Sequence, residues 1–194
     1  MKYIIMTVAL VLSFNLQAQI DNEHLKVGDK APEIVGFDQN GLRINSAEIL
    51  ENSKILMVFY RGNWCPHCKK HLGSLQEHLN DFIEKGVYVI VITPESVEKT
   101  KETADMWHIN FSIVHDANNK IMNDYKVAFE VNEENVPNYY KIVSSNVNEY
   151  NVKNNKVLPV PATYIIGQDG KISYVQYDPD YKNRSDFTEI LKML

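Results

Sequence analysis

Apolar residues along this chain fall into two kinds of pattern. Residues 55–60 (Ile-Leu-Met-Val-Phe-Tyr) and 87–92 (Val-Tyr-Val-Ile-Val-Ile) are apolar runs of strand length with almost no polar interruption. Such runs fit strands covered on both faces, as in the middle of a parallel or mixed sheet. After the first run the period changes. Leu72, Leu75, Leu79 and Phe82 recur at spacings of three and four, which predicts one amphipathic helix ending at Gly86. Thr93-Pro94 closes the second run, and Ser96 is placed to cap a helix reaching about Trp107. A short strand is expected over 111–114, a helix over 118–129, and a strand over 162–166. Gln168-Asp169-Gly170-Lys171 then turns the chain into a partner strand over 172–177. A closing helix over 185–194 takes Ser185 as its N-cap. Upstream, Asp38-Gln39-Asn40-Gly41 separates Ile34-Val35 from 42–44, a hairpin pattern. Residues 130–157 are rich in Asn and carry Pro137, Tyr139, Tyr140 and Tyr150; one short helix near 133–143, then loop, is expected there. The order, a hairpin followed by β-α-β-α-β-α-β-β-α, predicts a single α/β domain with a central mixed β-sheet flanked by helices and an N-terminal β-hairpin extension.

The first residues follow another pattern. Met1-Lys2 is a short positive start, 3–14 is an almost continuous apolar run, and Asn15-Leu16-Gln17-Ala18 ends on a small residue. This predicts a signal peptide over 1–18, leaving 19–194 as the domain of an exported, periplasmic or otherwise extracytoplasmic protein. The alternative is an uncleaved N-terminal anchor, for which the apolar run is short. No Cys stands near the cleavage point to carry a lipid. At 194 residues, 44% hydrophobic and 23% charged, the chain has the composition of a globular domain with a sizeable core. Its formal net charge is −5, and cleavage would remove one more positive charge, that of Lys2. No Lys/Arg cluster is set to neutralise a phosphate backbone, which argues against nucleic acid as a partner.

Export changes the meaning of the cysteines. There are two, Cys65 and Cys68, and a bridge between them closes too small a loop to staple a fold. They follow the first buried run directly, inside Trp64-Cys65-Pro66-His67-Cys68. Each part of this string suits thiol chemistry. A thiol attacks as its thiolate, and a helix N-terminus stabilises an anion with unpaired N–H groups and the positive end of its dipole. Pro66 fits the first helical position, where a missing N–H costs nothing. Cys68 lies one turn on, placed to resolve a mixed disulfide at Cys65, and His67 adds positive charge when protonated. The other readings are a zinc site from Cys65, Cys68 and His71, which lacks a fourth ligand, and a purely structural disulfide.

The string Cys65-Pro66-His67-Cys68-Lys69 is shared with the strongly oxidising DsbA-type enzymes. More extensively, 59–68 (Phe-Tyr-Arg-Gly-Asn-Trp-Cys-Pro-His-Cys) resembles the signature of peroxiredoxin-like proteins, the alkyl hydroperoxide reductase/thiol-specific antioxidant (AhpC/TSA) group of the thioredoxin superfamily. Supporting matches are 27–32 (Val-Gly-Asp-Lys-Ala-Pro), His115-Asp116, 158–166, and Asp178-Pro179-Asp180-Tyr181 with Arg184. The resemblance implies a thioredoxin-like fold over nearly all of 19–194. It also implies a cis-proline loop facing the cysteines; Pro161, just before the 162–166 strand, holds the matching place. With Cys68 in the place of the peroxide-attacking cysteine, the chain departs from the family pattern where Arg61 replaces that motif's proline and Cys65 replaces its threonine. The family's distant arginine would fall near Pro161, where there is none. Arg61 either substitutes for the missing polarising groups or is a surface residue at the strand end. The buried acid of ordinary thioredoxins is replaced by Phe59, so the proton acceptor for Cys68 is open among His67, His71 and a water.

These residues predict an enzyme, a thiol–disulfide oxidoreductase cycling a Cys65–Cys68 disulfide, with no bound cofactor or metal. Cys65 attacks, Cys68 resolves, and Pro161, His67 and Arg61 stand around them. Its partners would be protein thiols and disulfides or a peroxide, with a thiol protein as electron donor or acceptor. A thiol peroxidase working through a sulfenic acid is the second reading. A non-enzymatic binding module on a thioredoxin scaffold, using the insert over 130–157, is the third.

Overall fold

The computed structural model describes residues 24–136, 138, 140–152 and 155–194. The signal peptide expected over 1–18 lies outside the described residues. In chain order the first elements are β1 (Val35–Phe37), β2 (Arg43–Asn45), α1 (Ser46–Leu50), β3 (Lys54–Phe59), α2 (Pro66–Glu77), α3 (Leu79–Glu84), β4 (Val87–Thr93) and α4 (Val97–Trp107). They are followed by β5 (Ser112–His115), α5 (Lys120–Asp124), β6 (Ala128–Glu130), α6 (Tyr140–Tyr150), β7 (Val157–Pro159), β8 (Ala162–Ile166), β9 (Ile172–Tyr177) and α7 (Phe187–Met193).

The continuous apolar runs are central strands because both sheet faces are covered. Along β3 and just past it, Leu56, Val58 and Tyr60 join Val87, Val89 and Val91 in a core shared with α2, α3, α4 and α7. The alternate residues Ile55, Met57 and Phe59 join Ile90 and Ile92 in a second core on the other face, closed by Ile34, Ile44 and the α5 residues Ile121 and Met122. The sheet order is β5-β4-β3-β8-β9. β3, β4 and β5 run parallel, and β8 and β9 are antiparallel additions, giving the mixed sheet expected. β1 and β2 form the hairpin extension, with the Asp38 carboxylate accepting from the Asn40 and Leu42 N–H groups at 2.8 and 2.9 Å.

Four boundaries differ from the sequence reading. The helix expected from the cysteines to Gly86 is broken at His78. The His78 Nδ1 bonds the Ser74 carbonyl at 2.9 Å, while the His78 N–H splits between the Ser74 and Leu75 carbonyls. The helix expected over 118–129 is only α5. Lys126 is left-handed (φ 56°), and the Val127 N–H returns to the Met122 carbonyl at 3.0 Å, a helix-ending geometry. Beyond it β6 pairs with β7. The insert is not a short helix at 133–143 and then loop. Its helix is α6, whose Val143 and Val147 pack with Val131, Val136 and Leu158 into a small core of their own that reaches Trp64. Finally, α7 is capped by Asp186, whose Oδ1 accepts from Thr188 and Glu189 N–H, and not by Ser185. Among the described residues no helix is long and apolar enough to cross a membrane.

Candidate active site

β3 ends at Phe59, and the chain must turn into α2 within a few residues. Gly62 makes that turn possible. Its φ is +151°, and a Cβ there would stand 2.4 Å from the Trp64 Nε1. The Cys65 N–H donates to the Gly62 carbonyl at 3.0 Å, and the Cys65 carbonyl accepts from Lys69 at 3.0 Å. Cys65 is thus the N-cap of α2, with Pro66 in the first turn. The two cysteines are free thiols in the core beneath the helix start. This is the carboxyl end of a parallel strand, where α/β sheets place their sites.

The pair is electrostatically asymmetric. Cys65 is brought down to about 6, chiefly because the Cys68 thiol donates to its sulfur; burial opposes this, and Arg61, the Cys68 N–H and Arg184 add to it. Cys68 is pushed well up by burial and by the Cys65 sulfur, against the smaller pull of Arg184 and the Arg61 N–H. The helix-capping cysteine is the thiolate and the deeper one the thiol.

Arg61 is not a surface residue. It is 4% exposed, with its guanidinium carbon 4.9 Å from the Trp64 ring centroid and 4.5 Å from that of Tyr181. Its Nε and the Trp64 Nε1 have no hydrogen-bond partner among the described residues. Tyr181 also meets His67 edge-on at 5.5 Å, so it links residues on either side of Cys65. Cys65 is only 1% exposed, and a substrate reaches its sulfur by displacing neighbours. A guanidinium does stand at Cys68: the Arg184 Nη2 donates to the Cys68 Sγ at 3.7 Å. It comes from the segment between β9 and α7 and not from the neighbourhood of Pro161. The Val160–Pro161 peptide is trans, since no described peptide bond is cis; this corrects the expected cis-proline loop. Pro161 is buried at the start of β8, whose Ala162 pairs with Phe59, so it stays near the strand end that carries the cysteines.

His71, a candidate proton acceptor from the sequence, behaves otherwise than expected. It is buried, its Nε2 bonded to the Ser185 hydroxyl at 3.1 Å and its ring stacked on Phe187 at 4.6 Å. Burial and the nearby Arg184 lower it to about 4, so it is neutral and a poor acceptor for the Cys68 proton. In the unfolded chain this ring titrates near 6.5 and in the folded one near 4, so folding excludes its proton and stability falls as pH drops from about 6.5 to 4. The full span is worth about 3 kcal/mol. His71→Asn, compared with the wild type by urea denaturation at pH 7 and pH 4.5, is expected to lose stability at pH 7 and to show a smaller acid drop. An unchanged drop would show that other groups carry it.

The residue missed is Glu95. It is 0% exposed, two residues past β4. Its carboxylate accepts from the buried Tyr60 hydroxyl and from the Asn63 N–H at 2.8 Å. Burial raises it, against those two bonds and the charge of Lys99, and no ion pair to it is among those described. Tyr60 lies in the same core as both cysteines and feels the charge of Cys68. A buried carboxylate with no ion pair described to it costs several kcal/mol, and here it is bonded to Tyr60, whose hydroxyl feels the charge of the thiol that must lose a proton.

Comparison with known proteins identifies the family and the fold. The profile of the AhpC/TSA family matches residues 27–175. The thiol-disulfide oxidoreductase ResA of Bacillus cereus is 24% identical over 153 residues, covering 78% of this chain and 70% of its own. A putative peroxiredoxin of Mycobacterium tuberculosis is 24% identical over 154 residues, covering 79% and 86%. Among solved structures, peroxidoxin BcpB of the same organism superposes with a TM-score of 0.66 at 18% identity over 87% of this chain and 96% of that one. A cysteine-to-serine mutant of Xylella fastidiosa PrxQ gives 0.68 at 14% identity over 88% and 95%.

Proposed function

The chain is an oxidoreductase that belongs to the AhpC/TSA family, and on that premise we propose that it exchanges disulfides through Cys65 and Cys68, outside the cytoplasm. The Cys65 thiolate attacks a substrate disulfide and releases one thiol. Glu95, through the Tyr60 hydroxyl, accepts the Cys68 proton. The Cys68 thiolate then attacks the Cys65 sulfur and releases the second thiol, leaving a Cys65–Cys68 disulfide for a thiol protein to reduce. The extracytoplasmic location rests on the pattern over 1–18.

The observation that carries the reading is the asymmetry of the pair, with the thiolate on the helix-capping sulfur. A pair reading peroxide through Cys68 would need the reverse. The asymmetry also bears on direction. Lowering Cys65 from an ordinary ~8.5 to about 6 stabilises the reduced form at pH 7 by about 1.4 kcal/mol, or ~30 mV. That is a small part of the ~150 mV between thioredoxin and DsbA. Ionisation alone therefore does not make this pair a strong oxidant, despite Pro66-His67, and it leaves reduction of substrate disulfides open to the pair.

One observation favours a peroxidase instead: Arg184 donates to the sulfur of Cys68, the cysteine that matches the family's peroxidatic position. In that cycle the Cys68 thiolate bonds to one peroxide oxygen, the O–O bond breaks and the other oxygen leaves as an alcohol or water, and the Cys65 thiol then condenses with the Cys68 sulfenic acid to a disulfide, releasing water. Stoichiometric peroxide consumption by the reduced Cys65→Ser and Cys68→Ser proteins separates the two. Exchange predicts that neither consumes peroxide faster than a free thiol and that disulfide reduction depends on Cys65. One fast equivalent consumed by Cys65→Ser would hand the site to the peroxidase reading.

A further inference from the structure

A groove of about 520 Å³ runs beside the cysteines, between α2 and the segment that enters α7. His67, Lys70, His71 and Ser74 line one bank, a stripe at helical spacing. Lys182, Arg184 and Asp186 line the other. Arg184 belongs both to the groove and to the redox pair, since its Nη2 donates to the Cys68 Sγ at 3.7 Å. His67 lies between the two cysteines in the chain. Neither cysteine lines the groove, but His67 and Arg184 set one end of it next to the thiol pair.

Its charge is opposite to that of the chain. The chain carries a formal −5, yet the groove gathers Lys70, Lys182 and Arg184. None of the three is in an ion pair among those described. The one carboxylate on the lining, Asp186, is engaged as the N-cap of α7. His71 is neutral, so it neither adds to nor offsets the charge. A cavity of this size takes a small molecule, and three cations without a described ion pair around it ask for an anion.

Resting on the exchange reading above, we propose that the groove seats the carboxylate of a low-molecular-weight disulfide substrate, with its S–S bond at Cys65. The Cys65 thiolate bonds to the near sulfur and the S–S bond breaks, releasing one carboxylate-bearing thiolate, which takes a proton from solvent. The Cys68 thiolate then bonds to Cys65 and releases the second, which takes the proton lost by Cys68. The substrate disulfide is reduced by two electrons and the Cys65–Cys68 dithiol is oxidised.

The test uses the reduced full chain and three small disulfides of similar length: 3,3′-dithiodipropionate (two carboxylates), bis(2-hydroxyethyl) disulfide (neutral) and cystamine (two ammonium groups). Rate constants are divided by those of dithiothreitol with the same probes, which removes intrinsic reactivity. The dianion is expected to lead the dication about tenfold at low salt, and the lead should shrink toward unity near 1 M salt, as screening requires. The order runs against the net charge of the chain, so general electrostatics does not produce it. Lys70 and Lys182 are exposed, and Lys70→Glu with Lys182→Glu is expected to abolish or reverse the lead while alkylation by neutral iodoacetamide keeps its pH profile. A flat order, a faster dication, or a lead untouched by salt and by the double substitution would overturn the proposal while leaving exchange standing. If none of the three disulfides reacts, the exchange reading itself fails and takes this one with it.

Discussion

Reduced Cys68→Ser protein offered a disulfide is expected to stop as a mixed disulfide on Cys65 that persists until a thiol is added. In Cys65→Ser no such adduct forms at a comparable rate. Cys68 is buried and held protonated by that burial and by the Cys65 sulfur, whereas Cys65, at about 6, is roughly nine-tenths thiolate at pH 7, so the attack falls to Cys65. The advantage of Cys65 over an ordinary exposed thiol is small. A pKa of about 6 multiplies the thiolate at pH 7 about thirtyfold, but the lower basicity reduces nucleophilicity about tenfold, leaving a factor of ~3. Its low pKa counts for more when Cys65 is the leaving group. A second variant separates the causes. The largest stabiliser of the Cys65 thiolate is the Cys68 S–H. Cys68→Ser retains a donor and Cys68→Ala does not, so the midpoint of Cys65 alkylation against pH is expected near 6 in the wild type and higher in Cys68→Ala. Intact-mass spectrometry reads the adducts and a pH series of iodoacetamide rates reads the midpoint. A stable adduct on Cys68 in Cys65→Ser, formed as fast as that on Cys65, would reverse the assignment.

The parts of the fold that can be read from the chain are those where one local signal dominates. β3 and β4 are unbroken apolar because both faces of the sheet are covered, and the cysteine string announces its own helix start through Pro66. The parts misread are those where a side chain far away in sequence decides. Ser185 has the residue type of an N-cap, but its hydroxyl goes to Thr163 at 2.8 Å and to His71, so Asp186 takes the cap. The insert is hard to read because its apolar residues, Val131, Val136, Val143 and Val147, are spread thinly and become a core only when Leu158 of β7 joins them. Arg61 is ambiguous in the sequence because nothing local places Tyr181 against it. The site shows the same division. The two sulfurs and the helix that holds them are legible; the groups that tune them, Arg184 and Glu95, come from other elements. A signal for Glu95 does exist. β3 and β4 pair in parallel with Phe59 opposite Ile92, so residues just past both strands share one edge, and Glu95 is an acid just past β4.

That edge position gives the second large effect. Glu95→Gln is expected to slow resolution of the mixed disulfide by about 10²-fold at pH 7, the lower end of what a positioned base contributes. The amide keeps an oxygen for the Asn63 N–H but cannot take a proton. The pH dependence distinguishes a base from a mere packing group. With Glu95 present, resolution rises as the carboxylate ionises, through a value above the ordinary one because burial raises it, and then levels. In the Glu95→Gln protein the side chain has no proton affinity to offer. Deprotonation of Cys68 then falls to hydroxide, and the rate climbs about tenfold per pH unit as long as the thiol remains protonated. Loss of folding does not explain such a result. A carboxyl raised in the folded state disfavours folding as pH climbs from its unfolded value through its folded one, so the neutral amide is expected to match or exceed the wild type in thermal stability at pH 7. Tyr60→Phe removes the hydroxyl bonded to Glu95, and if the proton passes through it the resolution rate should fall with the same change in pH profile. Both variants are read by quenched-flow accumulation of the mixed disulfide in protein that keeps both cysteines. Should Glu95→Gln resolve at the wild-type rate with the wild-type profile, the proton of Cys68 leaves by another route, and the buried carboxylate has no part in the exchange.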